Sequence, residues 1–194
     1  MYKPNITSDE INDLPLKSFK GKIEIVTSLK EHPAIFKKLK KHDAVGFDTE
    51  TKPTFKKGIT HDTAMVQIAT PKNAWLFRIN QSGISDEMLD LMENNRMTKI
   101  GVALDDDLIA LKRMREFEPA GFMSLEKEVK PIGIESNGLK KLVAIILNFR
   151  ISKSAQVSNW ESEELTDKQK TYAATDAWVC IQMYKELRDK GFLY

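Results

Sequence analysis

The chain has 194 residues, 41% of them hydrophobic, which suits one domain with a full-sized core. Lys and Arg number 30 against 28 Asp and Glu, a formal charge of +2, so any polyanion must be gripped locally rather than by the field of the whole molecule. The single cysteine, Cys180, excludes a disulfide framework and a thiolate metal cage, and points to a reducing compartment.

Residues 1–22 are polar, carry two prolines and read as an arm laid on the surface of a domain that occupies 23–194. The opening MYKPNITSDEIND lacks the basic-then-apolar order of a secretory signal, and no stretch has the apolar length of a membrane span, so a cytoplasmic protein without a membrane partner is expected. A short strand over Lys22–Val26 is followed by a helix capped at Thr27 or Ser28 and running to about residue 40, with Leu29, Ile35, Phe36 and Leu39 as its buried stripe. Ala44–Thr51, AVGFDTET, reads as a central strand and KPTFKKG as a basic loop. Residues 64–70 and 74–79 form two strands joined at Pro71-Lys72-Asn73, a hairpin signal.

From Ser85 the period changes. A short helix runs from Ser85 through Met92, a strand covers 98–102, and a helix covers 104–116. After the Pro119/Gly121 break come a strand-like 121–124, a short helix over 125–129 ended by Pro131, and the apolar helix Leu139–Leu147 behind Gly138. A loop over 148–160 leads to a last helix from 166 to about 190, capped by Thr166-Asp167 and stopped by Gly191. His32, His42 and His61 fall at no metal-ligand spacing and are expected on the surface or in loops. Strands first, then strands alternating with helices, predict a single mixed α/β domain with a central sheet.

The chemistry is carried by acids. On Ala44–Thr51, strand alternation sends Asp48 and Glu50 to one face, where ionised carboxylates repel unless a proton or a cation intervenes. The bland alternative puts both in a solvated turn ahead of Pro53. In the last helix Tyr172, Asp176, Val179, Cys180, Met183 and Leu187 recur every three or four residues, so Asp176 faces the core; a buried hydrogen bond would explain it equally well. In Asp105-Asp106-Asp107 only Asp107 shares a face with Leu104, Leu108 and Leu111, while the other two suit a helix N-terminus. Four inward acids, Asp48, Glu50, Asp107 and Asp176, make an oxygen-only site suited to Mg²⁺ or Mn²⁺. The excess of ligands suggests a pair of ions about 3.5 to 4 Å apart, the arrangement of phosphodiester hydrolysis. Tyr172 is then placed to orient the attacking water, or else is a core aromatic.

GFDTE, GVALDDDL and YAATDA resemble, in order and spacing, the three exonuclease motifs of the DEDDy 3′-5′ exonucleases, the group of ribonuclease D and the Werner syndrome helicase exonuclease domain. The resemblance runs from about Val45 to Leu187 and includes GLKKLVAIIL and SNWES. It implies a ribonuclease H-like fold, two divalent cations, and hydrolysis from the 3′ end of DNA or RNA. Carried over, Asp48, Glu50, Asp107 and Asp176 are the metal ligands and Tyr172 the catalytic tyrosine, with the register from Gly101 choosing Asp107. Thr49 and Thr51 meet the terminal nucleotide, Phe55 stacks on a base with Lys52, Lys56 and Lys57 near phosphates, and Lys153 and Trp160 bracket a loop facing the site. Those lysines also fit a solvated turn, and Trp160 also fits plain packing. A protein partner for substrate choice is an open expectation, and the rival reading is a binding protein that kept the fold and lost turnover.

Overall fold

Six strands pair into one mixed sheet in the order β1-β4-β3-β2-β5-β6, which sets the acid-bearing strand near its middle. The computed structural model describes residues 2–56, 58 and 60–193. The strands are β1 (Lys22–Val26), β2 (Ala44–Thr51), β3 (Thr63–Ala69), β4 (Asn73–Phe77), β5 (Thr98–Gly101) and β6 (Phe122–Ser124). β3 runs antiparallel to both neighbours, and every other pair is parallel. All of β3 is buried, because helices cover both faces of the sheet.

The helices are α1 (Ser8–Asp13), α2 (His32–Leu39), α3 (Ile79–Ser82), α4 (Asp86–Met92), α5 (Asp105–Met114), α6 (Leu125–Glu128), α7 (Leu139–Leu147) and α8 (Asp167–Asp189). One face of the sheet buries Val45, Phe47, Val66 and Ile68 against α2 and α4. The other packs Met65 and Ala69 against Ala173, Ala174 and Ala177 of α8. No helix among the described residues is long and apolar enough to cross a membrane.

Three local readings need correction. The N-terminal arm is not simply laid on the surface: a capping box between Thr7 and Glu10 starts α1, Ile11 and Phe19 are buried, and Lys17 N–H donates to the Arg150 carbonyl. The helix after β1 opens with a 3-10 turn capped by Ser28, which leaves Leu29 46% exposed. His32 takes the core position instead: it is fully buried, with Nδ1 2.8 Å from Ser85 Oγ and its ring edge on Phe77. The short helix over 125–128 does end ahead of Pro131, which sits in the first turn of a following 3-10 turn where its missing N–H is not needed.

Candidate active site

Alternation along β2 aims Gly46, Asp48 and Glu50 at α8 and returns Val45 and Phe47 to the opposite core. Gly46 is what lets α8 come close. A Cβ there would lie 1.8 Å from the carbonyl oxygen of Ala177, the residue after Asp176, so any side chain would push the helix off the strand. A capping box between Thr166 and Gln169 fixes where α8 begins, and Tyr172 and Asp176 follow one turn apart. As a result one carboxylate oxygen from each of Asp48, Glu50 and Asp176 lies within 4.8 Å of the other two.

Asp107 comes from the first turn of α5 and stands beside this triad rather than in it. Thr49 Oγ1 donates to Asp107 Oδ1 at 2.6 Å, so the residue between the two acids of β2 holds the acid of α5. Asp105 turns out to Lys127, and Asp106 is exposed, which divides the three aspartates as their helical facing predicts.

Burial and mutual repulsion disfavour charge on these acids. Asp48 is held well above the usual carboxylate range by burial first and then by Asp176 and Asp107. Glu50 is pushed up to about 10 by burial, Asp48 and Asp176. Asp176 is raised to about 7 by burial, with the Tyr172 hydroxyl and Lys153 pulling the other way. Asp107 is raised to about 6 by burial, against the Thr49 hydrogen bond. The Tyr172 phenol is raised by burial and by Asp176 and Glu50. Asp176 Oδ1 is buried with no hydrogen-bond partner among the described residues. Oxygen donors only, mutual repulsion and an orphaned lone pair together fit a hard divalent cation.

The remaining candidates scatter. Thr51 is exposed at the end of β2, and Phe55 is 86% exposed in the basic loop. Lys56 is exposed there, whereas Lys52 pairs with Glu161 at 2.9 Å; Lys57 lies outside the described residues. Lys153 is exposed and close enough to stabilise the charge of Asp176. Trp160 departs from the substrate contact expected of it. Its ring is fully buried, 5.9 Å from that of Tyr172, so it supports the tyrosine and offers no face to a base.

Sequence reasoning passed over other neighbours of the site. A cavity of about 320 Å³ bordered by Lys140, Lys141 and Lys153 reaches Tyr172 and Asp176. The first turn of α7 carries those first two lysines and no acid, the reverse of what a helix N-terminus prefers, and GLKKL already displayed it. Arg78 is buried under the SNWES loop and donates to the Ser162 carbonyl at 2.6 Å, a long-range contact with no local signal. A larger cavity, about 790 Å³, lies between the arm and α8 behind Tyr172 and takes in none of the four acids.

A family model described as 3′-5′ exonuclease matches residues 23–191. The bifunctional 3′-5′ exonuclease/ATP-dependent helicase WRN of Mus musculus is 32% identical over 155 residues, 77% of this chain and 11% of that protein. A 3′-5′ exonuclease of Arabidopsis thaliana is 30% identical over 155 residues, 75% of this chain and 52% of that protein. The chain therefore spans about half or less of the length of these curated relatives. Among solved structures, the Nibbler EXO domain of Aedes aegypti superposes with a TM-score of 0.78 at 21% identity, over 90% of this chain and 94% of that one, which shows a shared fold.

Proposed function

Because the chain belongs to the 3′-5′ exonuclease family, we propose that it removes nucleotides from the 3′ end of DNA or RNA with the help of two Mg²⁺ or Mn²⁺ ions. The observation that carries this reading is the convergence of Asp48, Glu50 and Asp176 on one small volume. Those three carboxylates would hold the ions, and Asp107, presented by Thr49, would complete the set directly or through water. When bound, the ions supply positive charge to the scissile phosphate and acidify water.

The chain's own groups do the rest. The raised phenol of Tyr172 keeps its proton at working pH, so it orients the attacking water by hydrogen bonding and does not act as the base. Trp160 fixes the tyrosine ring from behind. Lys140, Lys141 and Lys153 line the cavity beside Asp176 and suit the phosphates of a single strand, and exposed Phe55 suits stacking on a base. Thr49 and Thr51 each follow one of the β2 acids, where their backbone meets the terminal nucleotide. Choice among substrates is left to the loops or to a protein partner.

The test is a 5′-labelled single-stranded oligonucleotide incubated with Mn²⁺. A ladder of shortened products that disappears in Asp48→Ala, together with an intact circular strand, is the expected result. Binding without shortening makes the chain a nucleic-acid-binding protein, and cutting of the circle makes it an endonuclease.

A further inference from the structure

On β3, Gln67 stands directly opposite Asp48 of β2, and side chains so paired in an antiparallel ladder share a face. That face packs on the small residues Ala173, Ala174 and Ala177 of α8. Gln67 is fully buried, and neither Nε2 nor Oε1 has a hydrogen-bond partner among the described residues. An amide with both ends unmet is less favourable there than an apolar side chain of the same shape. Met65, next on the same face, shows that an apolar side chain of that length fits this layer. Packing therefore gives no reason for a glutamine.

Its neighbour supplies one. An ionised Asp48 offers about four lone-pair sites, of which a cation takes some and leaves others to be met. Nearby side-chain donors are engaged elsewhere: Thr49 on Asp107, Thr175 on the Thr171 carbonyl, and Cys180 on the Asp176 carbonyl. Resting on the reading of Asp48 as a metal ligand, we propose that Gln67 is a positioning residue whose Nε2–H donates to the ionised Asp48 carboxylate and fixes the orientation in which Asp48 holds the cation. Hydrogen bonds behind a ligating group raise its affinity in just this way.

The experiment compares wild type with Gln67→Met, which keeps the volume and removes the amide. Metal-free thermal unfolding should give an equal or higher Tm, by about 2–4 °C, because an unmet amide is gone. Calorimetric titration with Mn²⁺ should give a dissociation constant raised about 10–100-fold. Gln67→Leu repeats both readings should methionine fit badly. Unchanged Mn²⁺ affinity, or a metal-free Tm well below wild type in both variants, overturns the proposal, since the amide would then be irrelevant to Asp48 or purely structural. A wild type that binds no Mn²⁺ defeats the metal-site reading and the proposal with it, whereas unchanged affinity against a binding wild type defeats the proposal alone.

Discussion

Thr49 Oγ1 donates a 2.6 Å hydrogen bond to Asp107 Oδ1, which ties the strand bearing two of the acids to the helix bearing a third. That bond opposes the burial that raises Asp107 to about 6. Thr49→Val keeps the shape and removes the donor, so the Asp107 pKa rises further. The expected outcome is a fall of about 10–100-fold in kcat/KM and an acid limb of the pH–rate profile moved to higher pH. A profile that superimposes on wild type would refute the role.

Tyr172→Phe removes the hydroxyl and keeps the ring against Trp160. The hydroxyl addresses water, so kcat should drop by about 10²-fold, the scale of a misplaced reactant. Mn²⁺ affinity by calorimetry should fall by less than that, about tenfold at most, because the hydroxyl also favours the charged form of Asp176. Collapsed metal affinity in this variant would place Tyr172 among the ligands instead.

Stability of the metal-free protein should fall as pH rises. In the folded state Asp107, Asp176 and Glu50 are raised to about 6, 7 and 10, above their values of 3.8, 3.8 and 4.5 in the unfolded chain. The folded chain thus binds more protons, and the stabilisation is full below about pH 4 and lost through those folded values. Other ionisations dominate in strong acid, so the informative window is from about pH 5 to 8. Tm measured in a chelator should decline across it, and saturating Mg²⁺ or Mn²⁺ should recover most of the loss at about pH 8. A flat or rising metal-free Tm would show that burial in the fold does not hold these acids protonated.

Gly46→Ala places a methyl group against the Ala177 carbonyl. Overpacking of this kind destabilises by about 1–3 kcal/mol, and relief requires α8 to move away from β2. Asp176 moves with it, so Mn²⁺ affinity should fall more than thermal stability alone explains. The control is Val45→Ala on the opposite face of the same strand, which should lose stability while retaining Mn²⁺ affinity. Equal loss of affinity in both variants would mean that general loosening, and not the seating of α8, weakens the site.

Much of this was legible locally. The β2 acids, the α7 run LKKLVAIIL and the capped α8 are written in short-range periodicity and end signals, and all appear where those signals put them. Facing alone separated Asp107 from Asp105 and Asp106. What stayed hidden needs distant partners. His32 is buried because Ser85 meets its ring nitrogen from another helix's cap, and Trp160 is buried because Tyr172 and the underside of the sheet close over it. Gln67 becomes interesting only once strand register sets it across from Asp48.

The backbone N–H of Phe19 donates to Thr175 Oγ1 at 3.0 Å, and Thr175 immediately precedes Asp176. The N-terminal segment is therefore buckled to the long helix at the very neighbour of an acid of the candidate site. Tension applied upstream would load the bonds of Pro4 with Glu135 and Ser136 and of Lys17 with Arg150 before it reached this buckle, so those outer ties shelter Asp176 from the movement of the chain's first residues.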